Sequence, residues 1–187
     1  MNLKTLGLLA LSVTALMAFA ASAHATTVTS PTGTAATGEE EQSAGEGHIV
    51  MDNPIAAIGC ASNFTGRYVS HGEGVTAKGN VTGLTFTNCT NSWHVTVVSG
   101  GTLEAHHIGS YNATVTSTGV TVEATRFGIT CRYSTNNTDF GTVTGGNPAT
   151  LDITAAIPFH SGSGLCGSGA TTVTGSYQMN GSAYYDA

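Results

Sequence analysis

Leu151-Asp-Ile-Thr-Ala-Ala-Ile157 decides the fold class of this chain. Leu151, Ile153, Ala155 and Ile157 recur at every second position, with Asp152 and Thr154 between them. A period of two sends alternate side chains to opposite faces of a strand, one apolar and one polar. No segment sustains the 3.6-residue period of a helix. Turn residues follow at Gly145-Gly146-Asn147-Pro148 on one side and in the Gly- and Ser-rich run after Pro158 on the other.

The same pattern repeats outward from this segment. Phe64 to Val69 reads as a strand, and so does Val75 to Phe86, interrupted by Gly79-Asn80 and Gly83. His94 to Ser99 and Thr102 to His107 flank Gly100-Gly101, a two-residue hairpin signal. Tyr111 to Thr116 and Val120 to Thr125 flank Gly119. Phe127 to Tyr133 and Thr142 to Thr144 come next. Thr172 to Met179 and Ser182 to Tyr185 flank Asn180-Gly181, which predicts a type I′ turn. About ten short strands rich in β-branched residues predict an antiparallel β-sandwich. An outer-membrane barrel is the competing reading. It would want aromatic girdles, whereas aromatics are 7% of the chain, and Tyr185-Asp186-Ala187 lacks a closing aromatic.

Residues 1–25 read as a bacterial signal peptide: Lys4, an apolar run from Leu6 to Ala20, and Ala23-His24-Ala25 as the cleavage site, with Ala21-Ser22-Ala23 competing. Residues 26–47 read as a flexible leader, with Pro31, the acidic run Glu39-Glu40-Glu41 and few large apolar side chains. The sandwich domain is expected over 48–187. Export puts Cys60, Cys89, Cys131 and Cys166 in an oxidising compartment, outside the cell, at its surface or in the periplasm. Four cysteines allow three pairings. Cys60–Cys89 with Cys131–Cys166 is favoured, because each pair brackets one run of strands. No C-x-x-C supports zinc instead.

Charge narrows the partners. Losing Lys4 with the signal leaves 4 basic against 11 acidic residues, a balance of −7. That balance lacks the basic footprint of a nucleic-acid binder and the polybasic patch of a lipid binder. No later segment is long and apolar enough for a membrane-spanning helix. The partners left are another copy of the chain, a cell-surface component or a hydrophobic ligand.

Few residues suggest chemistry, and no cofactor motif is present. If Gly100-Gly101 closes a hairpin, His94 faces His107 across it at about 5 Å between Cβ atoms, a weak candidate metal or pH-sensitive pair. Glu104 and His106 share the other face and, with the two histidines, form the loose cluster an extracellular hydrolase would use. His160-Ser-Gly-Ser-Gly164 departs from G-x-S-x-G, because Ser161 and Leu165 stand where the glycines belong, and reads as a flexible loop. Trp93, the single tryptophan, reads as a core anchor.

The ordered motifs Gly59-Cys60, Phe64-Thr-Gly66, Leu84-Thr-Phe-Thr-Asn-Cys89, Trp93-His94, Gly128-Ile-Thr-Cys-Arg-Tyr133, Gly145-Gly146 and Leu165-Cys166 span most of the body. They resemble a group of secreted bacterial four-cysteine β-proteins and, more distantly, the PraB-type secreted activators of alkane oxidation. The resemblance implies an extracellular, non-enzymatic accessory role near hydrophobic substrates or cell surfaces. The expected function is therefore a non-catalytic structural, adhesive or accessory binding protein. The alternatives are a fimbrial subunit assembled by strand donation, with the leader as donor, and the hydrolase.

Overall fold

A computed structural model describes residues 27–29, 41–72, 75–180 and 182–186. The signal peptide, most of the leader and Gly181 lie outside the described residues. The described residues are all-β, with fourteen strands among them: β1 (Thr27–Thr29), β2 (Glu41–Asp52), β3 (Ala57–Gly72), β4 (Val75–Thr87), β5 (His94–Ser99), β6 (Thr102–Gly109), β7 (Asn112–Thr118), β8 (Thr121–Arg126), β9 (Ile129–Ser134), β10 (Thr138–Thr144), β11 (Thr150–Ile157), β12 (Phe159–Gly162), β13 (Thr171–Gln178) and β14 (Tyr184–Asp186).

The expected sandwich is not what forms. Eight strands close into an antiparallel barrel in the order β10-β11-β13-β2-β3-β4-β6-β7, with β7 pairing back onto β10. A separate four-stranded sheet runs β12-β9-β8-β5, and β1 pairs with β14. Alternation fixes which face of a strand is buried, but it is the same for two packed sheets and for one sheet closed on itself. Shifts in register at Asp139/Gly141, Ala44/Gly47 and Thr65/Gly66 supply the extra twist that closure needs.

Two crossings explain the difference. Gly100-Gly101 does not close a hairpin: β5 pairs with β8, while β6 pairs with β4 and β7. Gly119 likewise joins β7 in the barrel to β8 in the other sheet. The two glycine turns lie against each other where barrel and sheet meet. A Cβ on Gly101, at φ +64°, would strike the Thr118 carbonyl oxygen and the Val120 nitrogen, and one on Gly100 would strike the Val81 carbonyl oxygen. The glycines are needed for close backbone approach, not for a tight reversal. The hairpin expected around Asn180 is also absent, because β14 pairs with β1 instead of β13.

Two described stretches of the expected leader lie in strands. Thr27–Thr29 form a strand with Val28 buried, and β2 already starts at Glu41. His160 and Ser161 belong to strand β12, followed by a single 3-10 turn at Gly164–Cys166. The disulfides are Cys60–Cys89 and Cys131–Cys166, with loops of 29 and 35 residues, an arrangement compatible with an oxidising environment.

β11 has the burial its sequence demands: Leu151, Ile153, Ala155 and Ile157 are buried, and Asp152, Thr154 and Ala156 are exposed. Thr172, Thr174 and Ser176 of β13 face outward as well. An apolar inside and a Thr-rich outside are the reverse of a porin-like barrel. Among the described residues no helix is long and apolar enough to cross a membrane.

Candidate functional site: an apolar cavity in the barrel

An eight-stranded barrel is just wide enough for side chains to fill it or to hold one small ligand. Here three neighbouring strands turn small residues inward: Gly66 on β3, Ala77 and Gly79 on β4, and Ala105 on β6. Ala77 pairs with Ala105, and Gly79 lies between Tyr68 and Leu103. Larger side chains cross from the far wall, among them Val115, Val143 and Leu151. They do not reach far enough, and a cavity of about 60 Å³ remains.

That volume is several times the roughly 10–15 Å³ one water centre requires, yet below the ~150 Å³ apolar hole that admits benzene. A second cavity of about 40 Å³ lies between Ile49, Met51, Val122 and Val173, at the end covered by the four-stranded sheet. Phe64 and Leu103 border both cavities and form the partition between them. Apolar walls of this kind do not hold water well.

Polar groups sit at the edges. Arg67 and Asn80, paired across β3 and β4, stand exposed at the rim of the first cavity. Tyr185 of β14 closes the same cavity, and its hydroxyl shares a 2.7 Å hydrogen bond with that of Tyr68. Burial pushes the Tyr185 phenol above its ordinary value, partly offset by that bond. Tyr177, beside the second cavity, shares a 2.7 Å hydrogen bond with Ser62 Oγ, and burial pushes its pKa up to about 12 despite that bond. The cavities thus hold neutral phenols near neutral pH and, apart from Arg67 at the rim, no charged side chain lines them.

The residues singled out in the sequence do not converge. His94 is exposed on β5 opposite Thr125, whereas His107 is half-buried on β6 opposite Ala113. The two histidines lie in different sheets, and the pairing that would have joined them is absent. Glu104 binds Lys78 at 2.7 Å across β6 and β4, and His106 is exposed. Among the described residues no three His, Cys, Asp or Glu side chains are grouped to hold a metal. Ser163 Oγ accepts from the Leu165 nitrogen and caps a turn. Trp93 is buried, as expected of an anchor. Tyr177, Tyr184 and Tyr185 part company: the first fills the barrel, the third closes its end, and Tyr184 packs edge-on against Tyr111.

The cavity residues were missed because Gly79 read as an interruption of a strand. The available signal was small residues recurring at inward positions of three consecutive strands. The fold and cavity define an eight-stranded antiparallel barrel with an apolar interior and an auxiliary sheet that carries one of the two disulfides. No family model, curated protein or solved structure matches this chain.

Proposed function

We propose that the protein is a secreted or cell-surface, non-catalytic accessory protein whose barrel receives a small or slender apolar group. The observation that carries this reading is the void left beside Gly66, Ala77, Gly79 and Ala105 inside the barrel. Protein interiors are close-packed, and each empty volume forfeits dispersion contacts, so a void lined by small residues on adjacent strands calls for a reason. The resemblance to secreted proteins acting near hydrophobic substrates points the same way. The test is titration with xenon, followed by NMR of the methyl groups of Val115, Val143 and Leu151. Saturable shifts confined to these residues, and abolished in Ala105→Leu, are expected. Shifts that never saturate, or that persist unchanged in Ala105→Leu, would refute the reading.

Self-association by strand exchange is the second reading, favoured by β1. Val28 is buried and Thr27–Thr29 pair only with β14. Eleven residues, 30–40, join β1 to β2 and can span at most about 36–40 Å, enough to reach a neighbouring copy. Light scattering on the chain from residue 26, and on the same chain starting at residue 41, tests it. Oligomers that vanish in the shorter chain support exchange, and a monomer in both refutes it.

A further inference from the structure

The tip of the β8–β9 hairpin carries a second, separate feature. Phe127 and Gly128 form its two-residue turn, with φ of +49° and +79°. Asn-Gly is the favoured pair for such a turn, and phenylalanine is a costly residue in the left-handed region. The Phe127 ring is nevertheless 83% exposed, so packing compensates little for its position. Strain of this kind, held on an exposed aromatic, points to use of the ring.

The ring packs against Arg126, whose guanidinium carbon lies 4.6 Å from the Phe127 centroid and 6.0 Å from that of Trp93. The described residues include four lysines and arginines. Lys78 pairs with Glu104 and Arg132 with Glu123, and Arg67 is engaged as well. Arg126 is the one among them with contacts to aromatic rings alone. Glu123, the acid nearest it on β8, falls on the opposite face by strand alternation and is held by Arg132. Arg126 Nε and Trp93 Nε1 are both buried without an acceptor. Two unpaired N–H donors on neighbouring side chains are rare in folded proteins, where buried polar groups are hydrogen-bonded.

We propose that Arg126, Trp93 and Phe127 form a surface site for a carboxylate carried on a ring. The guanidinium fork takes the carboxylate through two parallel hydrogen bonds. The exposed phenyl ring supplies a flat apolar face for the ring that bears it. A site at a hairpin tip, open on all sides, suits a unit within a larger polymer, such as a uronic acid residue of an acidic polysaccharide. A free aromatic acid carries the same chemistry.

The experiment uses the oxidised mature chain and its single tryptophan as the reporter. Trigalacturonate and benzoate are titrated to millimolar concentration at low salt, with maltotriose and benzyl alcohol as uncharged counterparts, and Trp93 emission and heat are recorded. Saturable binding by at least one acid, weakened by added salt and about tenfold or more by Arg126→Gln, is expected. Phe127→Asn, which relieves the turn and keeps Arg126, weakens it as well. Saturation by trigalacturonate alone assigns the polysaccharide source, and saturation by benzoate alone assigns the aromatic acid. No binding of either acid, equal binding of the uncharged compounds, or full binding by a folded Arg126→Gln protein would overturn the site.

Discussion

Tyr177→Phe should reverse the order of stability of the two proteins as pH rises. Tyr177 is fully buried, and its hydroxyl shares a hydrogen bond with Ser62 Oγ. Burial raises its pKa from 10.0 to about 12. The folded state thus keeps its proton where the unfolded chain has lost it. This contribution is fully present below pH 10 and disappears as pH climbs from 10 through the folded value. Two pH units at about 1.4 kcal/mol each amount to roughly 2–3 kcal/mol. Near pH 8 the substitution removes one hydrogen bond at a cost of about 1 kcal/mol, while Ser62 keeps the Gly47 carbonyl oxygen 3.3 Å away. Near pH 12 the parent has lost its larger contribution and the variant has not, so the variant becomes the more stable. Tyr133 and Tyr185, also raised by burial, titrate in both proteins and cancel in the difference. Urea unfolding at pH 8, 10, 11 and 12 provides the assay, and stability curves that stay parallel would refute the reasoning.

Gly47→Ala should cost about 1–3 kcal/mol in denaturant unfolding, because its Cβ would lie 2.5 Å from Tyr177 Cδ1 and 2.8 Å from the Ser176 carbonyl oxygen. Replacing Cys131 and Cys166 together by alanine opens a 35-residue loop and should lower stability by about 4 kcal/mol on the chain-entropy account. Calorimetry of the double variant measures that loss. Phe127→Asn should raise stability by about 1 kcal/mol, since asparagine tolerates the left-handed turn position better, with the gain read from the urea midpoint.

Strand identity was legible in strands such as β11, but the apolar half of β2 and the start of β3 were not read as strands although one face of each is buried. β11 follows its alternation residue by residue, and the bracketing of strand runs by cysteines points to both disulfides. Closure was not legible, because inward-facing residues look alike in a sandwich and a barrel. The first half of β2 was missed because Glu41-Gln-Ser-Ala-Gly-Glu46 offers no large apolar side chain, its pairing with β3 coming from backbone hydrogen bonds. The glycine turns at Gly100-Gly101 and Gly119 were read as reversals because the signal reports backbone freedom, and a crossing between sheets needs that freedom as much as a reversal does. The hairpin tip at Phe127 left a trace, a phenylalanine before glycine, but its meaning depends on Trp93 arriving from the turn just before β5.

The side-by-side glycine crossings also bear on how this protein can be divided. Barrel strands and auxiliary strands alternate along the chain, β4 then β5, β7 then β8, β9 then β10, β11 then β12. Neither body is a continuous stretch of sequence, so no single cut in the gene releases one without the other. The auxiliary sheet could not have been acquired as a ready-made module or be passed on as one. Its changes must be accommodated in the loops and strand ends of a body that already contains the barrel, and the two are expected to melt together as one cooperative unit.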